Sequence, residues 1–206
     1  QRGQFPFVGL VVSGGHTSLF YVRDFLKWQL IGATRDDAAG ESFDKVAKIL
    51  QLGYPGGPII EKMAQGINGD KVRFPRSYLE KNSLDFSFSG LKTAVLYYVR
   101  NFPKTSRAAI AAGFQEAVID VLAEKALRAC LLKRVKTLVV GGGVAVNRRL
   151  RELFIQRLSE HNIRVYFPQS KLCQDNAAMV AGLGYQLYKR GVVSDLGLQV
   201  APNLTL

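Results

Sequence analysis

Residues 7–22 read FVGLVVSGGHTSLFYV and hold two apolar, β-branched runs on either side of a glycine pair. Runs of this length and composition predict strands, and the short polar turn between them predicts a hairpin. Residues 28–33 have the same character and predict a third strand. The chain is therefore expected to open with a small sheet whose first turn carries Gly14 and Gly15.

Helical and strand patterns alternate after these opening strands. The predicted elements are helices over 37–50, 105–133 and 147–160, strands over 137–140 and 164–167, and a last helix from about 175 to 189. Residues 59–102 mix a short amphipathic helix with polar segments, and we interpret them as an insertion. The order matches the ribonuclease-H-like half of the ASKHA superfamily, which contains actin, sugar kinases and Hsp70, so the predicted fold class is α/β with a helical insertion.

The charge of the chain is strongly positive. Its 206 residues include 28 Lys and Arg against 16 Asp and Glu, for a net charge of +12. Such an excess favours polyanionic partners, because nucleic acid and nucleotides release counterions when they bind. Three clusters are locally dense in basic residues: Lys71, Arg73 and Arg76; Arg100, Lys104 and Arg107; and Arg148, Arg149 and Arg151. For any one cluster a solvated face is the simpler interpretation.

Cysteine spacing, hydropathy and the first residues indicate the compartment and the kind of protein. Cys130 and Cys173 have no CxxC spacing, which argues against a disulfide framework or a thiolate zinc site. We therefore expect a reducing cytoplasm. Charged residues or glycines interrupt every apolar segment, so no membrane partner is expected. The start at Gln1 has no initiator Met and no signal-peptide pattern, which favours a domain cut from a longer protein.

Two turns could hold an anion. In SGGHT, residues 13–17, the glycines let backbone N–H groups approach a phosphate, and Ser13 offers a hydroxyl; the alternative is a plain hairpin turn. In GGGVAVN, residues 141–147, the turn joins a buried strand to a helix, where backbone amides and the helix dipole favour a nucleotide. Asn147 is either a side-chain clamp on that nucleotide or an N-cap of the helix.

Acidic residues suggest two further positions. Asp37, Glu41 and Asp44 fall on roughly one helical face, which indicates either a surface turn favoured by the helix dipole or a face that meets ribose, ammonium or metal. Asp175 precedes the last helix and could be an N-cap or could direct a carboxylate at a cation. Spacing alone does not choose between these readings.

Five blocks of the sequence together resemble the TsaD family, also called Gcp or YgjD, whose relatives occur in the KEOPS complex. The blocks are VVSGGHTSL at 11–19, DDAAGESFDKVAKILQLGYPGGP at 36–58, LDFSFSGLKTA at 84–94, GGGVAVNRRLR at 141–151 and CQDNAAMVA at 173–181. The resemblance implies that residues 1–206 are the C-terminal, ASKHA-type lobe of a longer enzyme. That enzyme would transfer a threonylcarbamoyl group from threonylcarbamoyl-AMP to N6 of adenosine 37 in tRNA.

The resemblance also assigns roles to single residues. Val11, Val12, Ser13, Gly14 and Gly15 would line the phosphate and carbamoyl end of an adenine nucleotide, either threonylcarbamoyl-AMP or ATP. Asp44 and Gly57 would contact its ribose and base side, and Asn147 would bind the nucleotide. Asp175 would be a metal ligand, and Asp175 and Ser13 are the expected catalytic residues.

The expected metal is iron or zinc, completed in this family by two histidines of an HxxxH motif upstream of the first strand. The sequence contains no HxxxH, and His16 and His161 are too far apart to replace it. We therefore expect that the lobe carrying this motif is absent and that the fragment alone does not turn over. Expected partners are tRNA, a paralogous dimer partner, a small ATPase and the enzyme that makes the adenylate.

Alternatives from other classes remain open at this point. A catalytically inert paralogue acting as a dimer partner would be expected to lack the SGGHT and DNAAM blocks. A sugar kinase or other phosphotransferase would need a catalytic Asp poised to activate a hydroxyl, and none is clear. A metallopeptidase would need histidines that the sequence lacks, such as those of an HExxH motif.

Overall fold

The computed structural model describes residues 5–80 and 82–199. Its strands are β1 (Phe7–Val12), β2 (Thr17–Val22), β3 (Trp28–Ala33), β4 (Thr137–Gly141) and β5 (Arg164–Tyr166). They form one sheet in the order β3-β2-β1-β4-β5. β1 is antiparallel to β2, and β2 to β3, while β4 and β5 continue the sheet in parallel with β1. The three opening strands have the bounds that the sequence predicts.

Six helices accompany the sheet in the part of the chain that the structure describes. They are α1 (Ala39–Ile49), α2 (Gly56–Ala64), α3 (Ser89–Asn101), α4 (Arg107–Leu132), α5 (Arg148–Ser159) and α6 (Ala177–Tyr188). Short 3-10 turns lie at Gly69–Lys71, Gly143–Val146 and Ser170–Leu172. The sequence predicts α1, α4, α5 and α6 within one or two residues at most ends. The interpretation of 59–102 as an insertion stays a prediction, although α2 begins earlier, at Gly56.

One face of the sheet makes the core. Val8, Leu10 and Val12 alternate along β1 and are buried, while the residues between them point to the other, partly open face. The buried face packs under α4, whose Val118 and Leu122 are inaccessible to solvent. α4 is rich in Ala, Val and Leu on nearly all sides, and this composition explains why it can lie between the sheet and the other helices.

The segment between α2 and α4 is anchored by two charged side chains, the buried Lys125 and the exposed Asp36. The ammonium of Lys125, on α4, donates to the carbonyl oxygens of Tyr78 and Ser83. Burial lowers the pKa of Lys125. Asp36, just before α1, accepts hydrogen bonds from the backbone N–H groups of Phe88 and Ser89 at 2.8 and 3.2 Å. These contacts bring the start of α3 next to α1.

α6 differs from the other helices because none of its residues is buried. Its apolar side chains Val180 and Leu183 are largely exposed. Among the described residues, no helix combines the length and the hydropathy that crossing a bilayer requires.

Candidate functional site

The bends that follow β1 and β4 lie side by side. Val11 of β1 pairs with Gly141 of β4, so both strands end at the same edge of the sheet. Gly142 has φ +97°, and a β-carbon on it would collide with the carbonyl oxygen of Val12. Only glycine allows both the positive φ and the close approach, so the backbone requires glycine at position 142 before any ligand is considered.

α1 covers this edge from one side. The N–H of Ala39, at the first turn of α1, donates to Oγ1 of Thr17 at 2.9 Å. Thr17 is buried, although it is the first residue of β2. The hydroxyl therefore fixes the start of the helix against the hairpin, and the N-terminal turn of α1 faces the same edge as the two bends.

A cavity of about 290 Å³ opens where these elements meet, and we refer to it as the cleft. Its lining includes Gly14 after β1, Gly143 after β4, and Gln174 after β5, so all three parallel strands contribute a bend. The remaining lining residues come from α1, α2 and the approach to α5: Gly40, Phe43, Asp44, Pro55, Gly57, Pro58, Glu61, Val144, Val146 and Asn147. A position at the carboxyl edge of the sheet is where open α/β folds usually bind ligands.

The structure brings some of the sequence-predicted residues into the cleft and leaves others outside its lining. Gly14, Asp44, Gly57 and Asn147 line it. The predicted residues outside the lining are Val11, Val12, Ser13, Gly15 and Asp175. Val12 is buried in the core, whereas the Val11 side chain lies on the open face of the sheet.

Backbone N–H groups without a partner concentrate at the cleft. Those of Gly14, Gly15, Gly143 and Val144 make no hydrogen bond with any residue that the structure describes. Added β-carbons at Gly14 and Gly143 would meet no atom within 4 Å, so the space in front of these bends is open. Open N–H groups from two adjacent bends form a concave, positively polarised surface that suits a phosphate.

Ser13 closes the first bend and keeps a free donor. Its Oγ accepts a hydrogen bond from the N–H of His16 at 3.0 Å, and its own N–H donates to the carbonyl oxygen of His16. Because the acceptor side of the hydroxyl is used, its proton remains available for a ligand oxygen. His16 completes the turn through its backbone.

Asp44 and Gly57 lie together at the α1–α2 side of the cleft. Oδ1 of Asp44 accepts the N–H of Gly56 at 2.7 Å. The second carboxylate oxygen has no partner among the described residues and is not buried, so it can accept a ligand hydroxyl. A β-carbon added at Gly57 would meet nothing within 4 Å.

Asn147 is an N-cap in this structure. Its Oδ1 accepts the N–H of Leu150 at 2.9 Å, and its Nδ2 donates to Oε1 of Gln115 at 2.9 Å. Both polar atoms of the side chain are thus engaged, although the residue lines the cleft. The capping alternative describes its contacts, and nucleotide binding by Asn147 stays a prediction.

The acidic face of α1 is neutralised by a lysine. Lys45 contacts Asp37 at 2.6 Å and Glu41 at 2.9 Å. The hydrogen bond from Lys45 lowers the pKa of Glu41. Glu41, whose side chain is 45% exposed, fits the surface interpretation, whereas the Asp37 side chain is 14% exposed and its Oδ2 is buried without a partner among the described residues. Asp44 turns to the cleft.

Asp175 stands alone as a metal donor. It is exposed and makes no hydrogen bond or ion pair with a residue that the structure describes. No group of three or more His, Cys, Asp or Glu able to hold an ion occurs among residues 5–80 and 82–199. Catalytic zinc sites usually have about three protein ligands, so these residues do not by themselves fit an iron or zinc ion.

Sequence reasoning missed two residues that organise the cleft. Glu61 lines it, and its Oε1 accepts the N–H of Arg148 at 2.7 Å, which joins α2 to the start of α5. Arg151 donates to the carbonyl oxygens of Ala145 and Pro168 at 2.7 and 3.0 Å. Arg151 therefore connects the bend after β4 to the segment after β5. The sequence did not predict this role, because Arg151 belongs to a dense basic cluster for which a solvated face was expected.

Comparison with known proteins identifies the family whose motifs the sequence resembles. A family model described as tRNA N6-adenosine threonylcarbamoyltransferase, TsaD, matches residues 1–182. The curated protein of that name from Clostridium kluyveri is 50% identical over 98% of this chain and 60% of its own length. The one from Thermosipho africanus is 49% identical over 98% of this chain and 62% of its own length. The chain thus spans about three fifths of these relatives.

Solved structures agree on the fold. Full-length HypF in a phosphate- and nucleotide-bound form superposes with a TM-score of 0.75 at 12% identity, covering 93% of this chain and 41% of that one. The activator of 2-hydroxyisocaproyl-CoA dehydratase from Clostridium difficile, with bound ADPNP, gives 0.52 at 14% identity, covering 95% and 66%. At these identities the likeness establishes the ASKHA-type fold and nothing further. Together with the family match, it places the chain: this protein belongs to the TsaD family.

Proposed function

We propose that this chain is the nucleotide-binding lobe of an enzyme that transfers the threonylcarbamoyl group of threonylcarbamoyl-AMP to N6 of adenosine 37 in tRNA. The observation that carries the proposal is the convergence of three bends on one cleft, where the N–H groups of Gly14, Gly143 and Val144 have no partner among the described residues. The names of the curated relatives support the same activity.

The residues of the cleft would act on the leaving group. In the transfer, a C–N bond forms between the carbamoyl carbon and N6 of the adenosine, the bond from that carbon to the AMP phosphate oxygen breaks, and N6 loses a proton. The N–H groups of Gly14, Gly15 and Gly143 would hold the phosphate as negative charge returns to it. The Ser13 hydroxyl would donate to the same anion, and Asp44 would accept from the ribose.

The second substrate would approach from solvent. The target adenosine would have to leave its base stack to reach the carbamoyl carbon, because N6 lies inside a helical stack or folded loop. The net charge of +12 favours the approach of an RNA backbone. tRNA is therefore the proposed acceptor.

Asp175 is the proposed ligand of an iron or zinc ion. When bound at this position, such an ion would polarise the carbamoyl carbonyl. Since the described residues do not complete the site, we assign no step to the ion. Further donors would have to come from outside these residues.

We also propose the partners and the compartment that this activity implies. They are a paralogous dimer partner, a small ATPase, the enzyme that makes the adenylate, and a cytoplasmic location. Family membership supports these partners and this compartment only because relatives named for the same reaction would need them. A pull-down of the chain from cell extract, followed by identification of the bound proteins, tests the three partners, and cell fractionation with an antibody to the chain tests the location.

Isothermal titration calorimetry with AMP tests the cleft directly. We expect the chain to bind AMP with one-to-one stoichiometry, and we expect Asp44→Asn to weaken that binding. Lys71→Glu, a substitution of an exposed residue outside the cleft, is the control and should leave it unchanged. A chain that is folded by circular dichroism but shows no AMP binding at millimolar concentration would sink the proposal, and would favour an inert paralogue.

Turnover is a separate question from binding. We expect no modified base when this chain alone is mixed with tRNA and adenylate donor, because its metal site lacks donors. Mass spectrometry of the digested tRNA measures the product. Detection of threonylcarbamoyladenosine in that mixture would overturn this expectation and leave the assignment of the cleft intact.

A further inference from the structure

Basic residues that are close in sequence are in part paired with carboxylates in the fold. A further set of basic residues without an ion pair lies elsewhere among the described residues. In the first and third dense clusters, Arg76 pairs with Asp120 at 2.8 Å and Arg149 pairs with Glu116. Arg73 and Arg148 likewise pair with carboxylates of neighbouring residues. Much of the charge in these clusters is therefore neutralised within the chain.

A second set of cations is dispersed in sequence and meets at the edge of the sheet opposite the cleft. The register of the strands brings them together: Thr137 pairs with Arg164, and the N–H of Arg164 donates to the carbonyl of Lys136 at 2.9 Å. Lys133, at the end of α4, places its ammonium 5.2 Å from the ring centre of Tyr21 on β2. The set, called the basic edge below, consists of Arg23, Lys27, Lys133, Arg134, Lys136 and Arg164.

Few carboxylates face these cations. Asp24 lies in the β2–β3 turn, where its Oδ1 accepts the N–H of Leu26 at 2.7 Å, and Glu160 caps α5 beside His161. None of the six cations forms an ion pair within the described part of the chain. The basic edge thus keeps an excess of positive charge in solvent, where it attracts polyanions.

Aromatic rings accompany the cations. Trp28 is 45% exposed at the start of β3, and Arg190 stacks on Phe25 with 4.7 Å between guanidinium and ring centre. Surfaces that bind RNA combine cations for the phosphates with aromatic rings for unpaired bases. An acidic peptide would use the charge but would leave these rings without a stacking partner.

We propose that the basic edge binds the phosphate backbone of RNA at a place remote from the cleft, as a second contact for the RNA whose base enters it. Strands of five or six residues separate the two places by about 20 Å, a distance that one folded RNA can span but a single nucleotide in the cleft cannot. The identity of this RNA rests on the proposed function, whereas the existence of the contact does not.

Fluorescence anisotropy with full-length tRNA tests the proposal, and calorimetry with AMP reports on the cleft alone. The double variant Lys136→Glu/Arg164→Glu should lose at least about tenfold in affinity for full-length tRNA at low salt, and its slope of log affinity against log salt should fall by about two. Affinity for AMP, which is too small to reach the basic edge from the cleft, should not change. Arg23→Glu/Lys27→Glu, on the other side of the basic edge, should repeat the result.

The matched control is Lys71→Glu/Arg73→Glu, which makes the same change in net charge on the segment packed against α4. Equal losses in the control and in the edge variants, or no binding of tRNA by the folded wild-type chain, would overturn the proposal. So would tighter binding to phosphatidylserine vesicles than to tRNA, with the same dependence on the edge residues. If the proposed function is wrong, calorimetry shows no AMP binding to the wild-type chain while the edge variants still weaken tRNA binding. The two proposals therefore fail by different measurements.

Discussion

The N–H of Gly40 donates to the carbonyl oxygen of Ser13 across 3.0 Å. This bond fastens the first turn of α1 to the bend after β1, and it leaves almost no space between them. A β-carbon at Gly40 would lie 2.6 Å from that oxygen and 2.8 Å from the N of Gly14. The position of the Gly14 amide is therefore set by a residue of another element.

Gly40→Ala should disturb both stability and ligand binding. The added methyl overpacks a backbone contact, which typically costs about 2 kcal/mol in the free energy of unfolding. We also expect weaker AMP binding, because the bend must shift. Urea denaturation and calorimetry measure the two effects. Gly90→Ala is the control, since its added β-carbon would meet nothing within 4 Å; a Gly40→Ala protein as stable as this control would contradict the role of the contact.

Asp44→Asn should separate the structural from the ligand-binding role of this carboxylate. An asparagine can still accept the N–H of Gly56, so the melting temperature should change little. Its Nδ2 replaces the free acceptor oxygen, and we expect about a tenfold loss in AMP affinity. Asp44→Ala should lose both affinity and stability. An Asn variant with unchanged affinity would show that the ribose side of the ligand lies elsewhere.

Asn147→Ala should destabilise the protein by about 1–2 kcal/mol, because α5 loses its cap and Gln115 loses its partner. Asn147→Asp keeps the acceptor for Leu150, and its cost in unfolding free energy should be smaller. Urea denaturation compares the two. If the Asp variant is as stable as wild type but no longer binds AMP, the side chain must leave the cap to contact the nucleotide.

Asp36 should make stability depend on pH in the acid range. Burial by itself would raise the pKa of Asp36, but hydrogen bonds from Ser87, Phe88 and Ser89 outweigh it and bring the pKa below its ordinary value of 3.8. A group with a lowered folded-state pKa stabilises the fold above its unfolded pKa and loses that contribution as pH falls through the folded value.

The difference in unfolding free energy between wild type and Asp36→Asn should therefore be full at pH 7 and shrink below about pH 4. Urea titrations at a series of pH values measure it. Glu160→Gln, at an exposed position without a partner among the described residues, should show no such trend. A constant difference for Asp36→Asn across the series would mean that its contacts do not depend on charge.

Much of the fold was predictable because its signals are local. The three opening strands are short apolar, β-branched runs, and α4 has a long run of Ala and Leu, so their bounds follow from the sequence. The start of α2 at Gly56 was not predictable in the same way. The run GYPGGP has the composition of a helix stop, and it becomes a helix start only because Asp44 accepts the N–H of Gly56.

The sequence predicted the glycine bends of the site, but it predicted few of the contacts that its side chains make. The positive φ and the close backbone approach at Gly142 require glycine, so the sequence indicates this bend directly. The pairing of Lys45 with Asp37 and the carbonyl contacts of Arg151 depend on tertiary neighbours, so spacing could not reveal them. The basic edge could not be predicted from the sequence for the same reason, because its residues are scattered between positions 23 and 164.

The parallel pairing of β1 with β4 also governs when the protein can become competent during its synthesis. Val11 must wait for Gly141 to emerge from the ribosome before its strand has a neighbour on that side. At about 5–20 residues per second, the hairpin of β1 and β2 spends many seconds with a bare edge, which is a hazard for mispairing with other nascent chains. In the proposed site the amides of both bends hold the phosphate together, so nucleotide binding would begin only after this late pairing.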